Sequence, residues 1–259
     1  MDYVYALIGI MIPFVGTVLG AACVFLLKDK LKEKTERALL GFASGVMVAA
    51  SIFSLLLPAI DESRDLENFD FLPPSMGFLF GIFFLLFLDR VVPHIHPQGD
   101  EEGPATELKR TTKMLLAITI HNIPEGMAVG VVVGGWFSGR YNISLSAALV
   151  LSIGIAIQNF PEGAIVSMPL HAEGMPKDRT FLYGALSGIV EPIAALAMMN
   201  AAGVFSPVMP YLLSFAAGAM IYVVIEELVP EMAKGEHSNV GTIWFALGFV
   251  LMMAMDVAL

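Results

Sequence analysis

The stretch "ITIHNIPEGMAV", residues 118–129, places a histidine, an asparagine and a glutamate inside an apolar run. A second copy, "IAIQNFPEGAIV", follows at residues 155–166. An ionisable group in the middle of a membrane helix costs about 3 kcal/mol on insertion scales, so such groups mark functional sites by default. The two copies therefore predict one functional site to which both contribute.

The composition indicates the class of protein that carries these copies. The chain is 57% hydrophobic and 15% charged, with a mean hydropathy of +0.76, whereas soluble domains are about 45–50% apolar and about 25% charged. We therefore predict an all-α integral membrane protein. A single cysteine, Cys23, excludes an intrachain disulfide and a cysteine-rich zinc cluster. The net charge of −10 argues against a nucleic-acid partner.

Eight segments are long and apolar enough to cross a bilayer as helices, which takes about 20 residues. The predicted spans 1 to 8 are residues 4–27, 37–59, 74–92, 113–135, 144–170, 180–203, 208–230 and 239–258. All but two of the 14 basic residues lie in or beside the connections that follow the odd-numbered spans. The positive-inside rule places these connections in the cytoplasm and both termini outside it. We predict one transmembrane domain over residues 1–259, with a flexible cytoplasmic loop over residues 93–110.

A second echo links the two ends of the chain. The stretch "FASGVM", residues 42–47 in span 2, resembles "FAAGAM", residues 215–220 in span 7. A proline follows each at a similar interval, Pro58 and Pro230, and is expected to end the helix. With the copies in spans 4 and 5, this predicts a 3+2+3 arrangement with an internal pseudo-repeat, as in many transporters.

Spans 4, 5 and 6 bring polar groups to one depth. At 1.5 Å per residue, His121 and Glu191 lie about 12 and about 18 Å from the cytoplasmic edge, and Gln158 about 21 Å from the outer edge. A hydrocarbon core about 30 Å thick puts all three near its middle. The sequence therefore predicts that these three spans share one polar site.

Spacing within each copy lets one glutamate serve two neighbours. His121 and Asn122 precede Glu125 by four and three residues, so all three share a helix face. The second copy repeats this spacing with Gln158, Asn159 and Glu162. Imidazole, carboxylate and amide ligands suit a borderline divalent metal such as Zn²⁺, Fe²⁺, Mn²⁺ or Co²⁺. One carboxylate per helix can thus bridge two adjacent cations.

Each of the three helices also carries a proline beside its glutamate. Pro124 and Pro161 cannot donate to the carbonyls four residues earlier, and Pro192 follows Glu191 in span 6. Interrupted backbone at this depth is tolerated where it lines a cavity. The prolines therefore favour a binding site over a merely structural use of the polar residues.

The motifs "HNIPEG" and "QNFPEG" resemble the signature of the ZIP family (zinc- and iron-regulated transporter-like proteins), in its bacterial GufA-type branch. The resemblance covers nearly the whole chain. It implies uptake of Zn²⁺, and of related ions such as Fe²⁺, Mn²⁺, Co²⁺ and Cd²⁺, into the cytoplasm, with no catalytic cofactor. It also implies a homodimer in the bacterial inner membrane.

The resemblance implies a two-metal site between spans 4, 5 and 6. One metal would bind His121, Glu125, Gln158 and Glu162, with Met47 as a soft ligand. The other would bind Asn122, Asn159 and Glu191, together with the shared Glu125 and Glu162. Gln158 stands where many members of the family have histidine, and Asn159 where some have aspartate. Both are weaker ligands, so they bear on metal preference.

Residues near the membrane surfaces match further positions of the family. The resemblance assigns an outer metal entrance to Asp61 and Asp256. It assigns a cytoplasmic exit to Asp89, His94, His96, Glu226 and Glu227. From the sequence alone, the two histidines are equally explained as loop residues without a ligand. Glu226, Glu227 and Glu231 are equally explained as a solvated helix end.

Two other functions would also place a metal in a membrane protein. An intramembrane zinc-dependent hydrolase of the zincin type would carry H-E-x-x-H, which the sequence lacks, and only His121 lies inside a predicted span. A metal sensor or scaffold leaves the entrance and exit carboxylates unexplained. We therefore predict a transport protein that works by alternating access and is not an enzyme.

Overall fold

The computed structural model is a bundle of membrane-length helices. It describes residues 2–26, 31–95, 101–139, 141–172, 174–204 and 208–259. Within these residues, eight helices are long and apolar enough to cross a membrane. Spans 1 to 8 are Asp2–Leu26, Glu33–Asp61, Leu72–Val91, Arg110–Ser138, Leu145–Met168, Lys177–Ala202, Met209–Ala233 and Val240–Ala258. The predicted class, an all-α membrane protein with eight spans, is confirmed.

Four spans are assembled from more than one helical segment. Span 1 comprises Asp2–Ala21 and Cys23–Leu26, and span 6 comprises Lys177–Ser187 and Val190–Val204. Span 2 comprises Glu33–Ala49, a π-helical segment Ala50–Leu56 and Leu57–Asp61, with a 3-10 turn Arg64–Phe69 after it. Span 7 comprises Met209–Val223, a π-helical segment Val224–Leu228 and Val229–Ala233. The other spans are single helices, Leu72–Val91, Arg110–Ser138, Leu145–Ala172 and Val240–Ala258.

The prolines of spans 2 and 7 do not end their helices, contrary to the expectation from the sequence. Pro58 offers no N–H to the carbonyl of Ser54, and Pro230 offers none to that of Glu226. Each helix absorbs the missing bond in its π-helical segment and continues for another turn. The two π-helical segments occupy matching places in the echoed sequences, which supports the pseudo-repeat.

Span 6 is interrupted where the sequence predicts one continuous helix. Because Pro192 cannot donate to the carbonyl of Gly188, the amide of Glu191 bonds to that carbonyl instead, at 3.0 Å. The carbonyl of Ser187 is left outside the regular helix ladder. Asn122 Nδ2 of span 4 donates to it at 3.2 Å. The interruption thus ties span 6 to the polar motif of span 4.

The spans pack in four close pairs, 1 with 5, 2 with 8, 3 with 7 and 4 with 6. Glycines bring the backbones together. A Cβ atom on Gly45 would lie 2.0 Å from the carbonyl oxygen of Phe245, and one on Gly218 would lie 2.1 Å from that of Phe78. The pairing is unchanged when spans 1, 2 and 3 are exchanged with 6, 7 and 8, and span 4 with 5. This symmetry is expected of an internal repeat.

The connection between spans 3 and 4 contains two short antiparallel strands in its described part. β1 (His94–Ile95) pairs with β2 (Glu101–Glu102), with Ile95 opposite Glu101. Lys113 Nζ at the start of span 4 lies 2.7 Å from Glu101 Oε2. His96 lies outside the described residues. The strands therefore hold Ile95 against the cytoplasmic end of span 4.

The contact between spans 2 and 8 gives a stability prediction. We expect Gly45→Ala to lower the free energy of unfolding by about 1–3 kcal/mol, because the added methyl group meets backbone that cannot turn away. Gly9→Ala is the milder comparison and should lower the free energy of unfolding less, since its Cβ would lie 3.3 Å from a side-chain atom of Val133 and meets no backbone. Thermal unfolding of the purified protein in detergent measures both. Equal melting temperatures for Gly45→Ala and wild type would contradict this packing.

Candidate metal site

Spans 4, 5 and 6 bring six of the predicted polar residues into one cluster. The six are Asn122, Glu125, Gln158, Asn159, Glu162 and Glu191. All except Glu162 are at most 2% exposed. Gly126 allows the close approach, because a Cβ there would lie 2.2 Å from the carbonyl oxygen of Glu191. The small residue that follows the glutamate in span 4 thus admits span 6 to the cluster.

Hydrogen bonds between side chains hold the cluster together. Gln158 Nε2 donates to Glu125 Oε1 at 2.8 Å. Asn122 Nδ2 donates to Glu191 Oε1 at 3.4 Å, in addition to its bond with span 6 backbone. Thr17 Oγ1 of span 1 donates to the same Glu191 oxygen at 2.6 Å. The amide nitrogens of Asn122 and Gln158 therefore point at carboxylates, and their amide oxygens point elsewhere, whereas Asn159 Nδ2 is buried without a hydrogen bond.

Five side-chain oxygens of the cluster form no hydrogen bond. They are Asn122 Oδ1, Glu125 Oε2, Gln158 Oε1, Asn159 Oδ1 and Glu191 Oε2, and all are buried. Buried polar atoms in folded proteins are nearly always paired, and each unpaired one costs about 1–3 kcal/mol. Five oxygens without donors in one cluster indicate a ligand that accepts lone pairs, and a metal cation does so.

The electrostatics of the cluster favour the same conclusion. The carboxyl group of Glu162 faces those of Glu125 and Glu191. Among the described residues, no ion pair joins any of the three to a lysine or arginine. Carboxylates held together in a low-dielectric interior repel one another unless a cation lies between them. One divalent cation would leave a formal charge of −1 on three ionised glutamates, and two would leave +1.

His121 lies at the edge of the cluster, on the side of span 7. Its Nε2 atom is 3.6 Å from Glu227 Oε1, and its side chain is 13% exposed. Both residues line a cavity of about 100 Å³. The histidine thus lines the cavity together with Asn122 and Glu162 of the cluster.

The cavity connects the cluster with the helix ends that the basic residues assign to the cytoplasm. His121, Asn122 and Glu162 line its inner end, and Glu36 and Glu231 lie where spans 2 and 7 reach the surface. Glu36 and Glu231 are not among the site residues predicted from the sequence. Glu227 and Glu231 are four residues apart and therefore lie on one helix face. This spacing could have predicted that Glu231 lines the same cavity as Glu227.

The predicted exit residues do not form one group. Asp89 and His94 are buried together, with 3.8 Å between Asp89 Oδ1 and His94 Nε2, and Tyr222 Oη donates to Asp89 Oδ2 at 2.5 Å. Glu226 lies near Asp89 in a separate open pocket, whereas Glu227 faces the central cavity. The exit assignment, including His96 outside the described residues, stays a prediction.

The predicted entrance residues lie at the outer ends of spans 2 and 8. Asp256 accepts a hydrogen bond from Ser54 Oγ at 2.6 Å, and Asp61 forms an exposed ion pair with Arg64 at 2.6 Å. Met47 is fully buried in the hydrophobic core and is not among the residues that line the cavity. Their roles as entrance and soft ligand stay predictions.

The ligand assignment rests on amides as much as on ionisable side chains. Within the described part of the chain, no group of three His, Cys, Asp or Glu side chains has the arrangement of a metal site. Three of the six residues in the cluster are Asn or Gln, and their nitrogens already bond to carboxylates in two cases. The set of ligands predicted from the sequence therefore stays a prediction.

A bundle of eight membrane spans around a buried cluster of donor-free oxygens defines a membrane protein that handles cations. Comparison with known proteins extends this assignment. The family profile described as "ZIP Zinc transporter" matches residues 3–114 and 105–256. Together the two matches cover nearly the whole chain.

Individual relatives agree with the family match. The chain is 37% identical to the zinc transporter ZIPB of Bordetella bronchiseptica, over 98% of this chain and 81% of that one. It is 34% identical to the zinc transporter GufA of Myxococcus xanthus, over 98% of each chain. It is also 34% identical to the human zinc transporter ZIP11, over 98% and 97%. The chain therefore belongs to the ZIP family.

Family membership settles several of the predictions. The chain is a multi-pass membrane protein of a family of transport proteins, and it is not an enzyme. Its bacterial relatives and eight spans agree with the bacterial inner membrane. The predicted family, class and location are confirmed, and the intramembrane hydrolase receives no support.

The position of the cavity gives a prediction about accessibility. Ile118 lines the cavity one helical turn below Asn122, so we expect Ile118→Cys to react with a membrane-impermeant maleimide added from the cytoplasmic side only. The Cys23→Ser background removes the natural thiol. Ser144→Cys, exposed in the opposite connection, is the control and should react only from outside. Labelling of Ile118→Cys from the outside alone would contradict the orientation.

Proposed function

We propose that the chain carries Zn²⁺ and related divalent transition metals into the cytoplasm through a two-metal site between spans 4, 5 and 6. The five buried oxygens without hydrogen-bond donors carry this proposal. Four of them belong to the two sequence copies in spans 4 and 5, and the fifth belongs to Glu191 of span 6. The relatives named as zinc transporters make zinc the first candidate for the cargo.

The geometry supports a division of the cluster into two neighbouring sites. Gln158 is hydrogen-bonded to Glu125, and Asn122 is hydrogen-bonded to Glu191 of span 6. The second carboxyl oxygen of Glu125, Oε2, is buried without a hydrogen bond. One cation would bind on each side, with Glu125 and Glu162 shared. Asn159 lies beside the carboxyl groups of both Glu125 and Glu191 and would complete the second site.

The ligand set supports binding that is firm enough for selection and loose enough for release. Imidazole and carboxylate groups bind Zn²⁺ through nitrogen and oxygen at about 2.0–2.2 Å. Neutral amides at positions 158 and 159 supply oxygen without adding negative charge. A transported ion must leave again, so a site with fewer charged ligands suits a carrier better than a permanent structural site. Position 158 is the natural place to look for metal preference.

The arrangement fits alternating access in a state that is open to the cytoplasm. The cavity reaches the cluster from the cytoplasmic ends of spans 2, 4 and 7. On the outer side, residues 127–135 of span 4 are buried without interruption, and Asp256 bonds to Ser54 across spans 8 and 2. The opposite state would open this outer region and close the cavity.

The helix packing indicates which parts would move together. Spans 4 and 6, and spans 1 and 5, touch backbone to backbone at glycines, so the four spans around the cluster hold each other firmly. The π-helical segments lie in spans 2 and 7, which border this group, and each provides a place where a helix bends at little cost. Bending of spans 2 and 7 would switch access to the cluster between the two sides of the membrane, while spans 1, 4, 5 and 6 keep the cluster intact.

The predicted homodimer belongs to the same proposal. Spans 3 and 8 expose large apolar side chains along their lengths, including Phe80, Phe83, Leu247 and Val250. Lipid covers such surfaces in a monomer, and a second copy would cover part of them in a dimer. The dimer stays a prediction.

Uptake of ⁶⁵Zn²⁺ into proteoliposomes tests the proposed function. We expect saturable uptake by the wild type and none by Glu162→Ala, because the substitution removes a carboxylate shared by both sites. Glu107→Gln, which changes an exposed glutamate of the cytoplasmic loop, is the control and should transport normally. Absence of uptake by the wild type, or unchanged uptake by Glu162→Ala, would refute the proposal.

A further inference from the structure

Span 1 reaches the polar cluster through one hydroxyl group, that of Thr17. Its Oγ1 atom donates to Glu191 Oε1 at 2.6 Å, and the residue is 2% exposed. Glycines on both helices bring it there. A Cβ on Gly16 would lie 2.4 Å from the carbonyl oxygen of Ala156, and one on Gly163 would lie 2.3 Å from that of Thr17. The backbone contact between spans 1 and 5 thus places this hydroxyl group beside the cluster.

Thr17 behaves differently from other buried hydroxyl groups of the bundle. Serine and threonine in membrane helices commonly bond back to the carbonyl four residues earlier. Ser44, Ser51 and Ser152 do so, at 2.7, 2.8 and 2.8 Å. Thr17 instead donates to a carboxylate 174 residues away in the sequence. Its hydroxyl group therefore serves the cluster, whereas those three serve their own helices, and Ser54 is a second exception, since it donates to Asp256 of span 8.

The two oxygens of Glu191 are thereby made unequal. Oε1 accepts from Thr17 and from Asn122, whereas Oε2 is buried and forms no hydrogen bond of normal geometry. Gly188 leaves no spare room on the Oε1 side, because a Cβ there would lie 2.8 Å from both Glu191 Oε1 and Thr17 Cγ2. The carboxyl group is held in one orientation, with a single oxygen directed at the site.

We propose that Thr17 is a positioning residue for metal transport, which holds Glu191 so that Oε2 alone is offered to the cation. The inference rests on the proposed function, since it assigns a role in the same metal site. A hydroxyl group suits this role because it donates a hydrogen bond without neutralising the carboxylate. A lysine or arginine in its place would compete with the metal for the charge of Glu191.

The variants Thr17→Val and Thr17→Ser separate the hydroxyl group from the shape of the side chain. Loss of such a supporting hydrogen bond weakens metal binding about 10–100-fold in known metal sites. We expect Thr17→Val to raise the Zn²⁺ dissociation constant, measured by calorimetry on purified protein, and the KM for uptake at least about tenfold. Thr17→Ser should stay close to wild type in both. A folding defect would lower the maximal rate and leave KM unchanged.

A double-mutant cycle with Glu191→Ala tests whether Thr17 acts through Glu191. We expect Thr17→Val to have no further effect on Zn²⁺ binding once Glu191 is replaced. Three results would overturn the inference: wild-type affinity in Thr17→Val, equal losses in Thr17→Val and Thr17→Ser, or an undiminished effect in the Glu191→Ala background. Failure of the proposed function is distinguishable from failure of this inference: in that case the wild type would bind Zn²⁺ but would not take it up.

Discussion

The structure depends on a group of buried oxygens that no hydrogen-bond donor satisfies. In a soluble protein, water could reach such atoms, but at the centre of a membrane bundle each one must find a partner inside the protein. Here the amide nitrogens of Asn122 and Gln158 donate hydrogen bonds to carboxylates, and the amide oxygens form no hydrogen bond. The polar residues thus hold one another in place and leave their lone pairs for a cation.

Close helix packing makes this arrangement possible. The polar side chains come from four spans, and spans 1 and 6 reach the cluster only because glycines remove the side chains that would hold the backbones apart. Gly126 admits Glu191, and Gly163 admits Thr17. The glycine after each glutamate in the two sequence copies therefore has the same use in both halves of the site. The repeat in sequence is a repeat in packing.

The number of spans and the main residues of the candidate site could be predicted from the sequence, because the bilayer imposes strong and simple constraints. A span must be apolar over about 20 residues, so the eight spans could be read directly. An ionisable residue inside a membrane span is costly. The sequence therefore predicts a functional site that contains His121, Glu125, Glu162 and Glu191. The rise of a helix and the distribution of basic residues predict a shared depth for His121, Gln158 and Glu191.

Features that depend on long-range packing could not be predicted in this way. Whether a proline ends a helix, is absorbed in a π-helical segment or interrupts a span depends on which neighbours satisfy the freed carbonyl, as Asn122 does for Ser187. Which of two adjacent glutamates faces the cavity is also a matter of packing: Glu227 lines it, whereas Glu226 lines a separate pocket. Thr17 gave no signal of its own, since a threonine in a membrane helix ordinarily bonds to its own backbone.

X-ray absorption at the zinc K-edge of the Zn²⁺-loaded protein tests the central claim most directly, because it reports the atoms that touch the metal. If the donor-free oxygens and His121 bind the metal, the first shell consists predominantly of oxygen and nitrogen at about 2.0–2.2 Å, with the outer scattering of an imidazole ring. Replacement of His121 by alanine should remove the imidazole signal and retain the oxygen shell. A first shell rich in sulfur at about 2.3 Å, or one without imidazole in the wild type, would contradict the account.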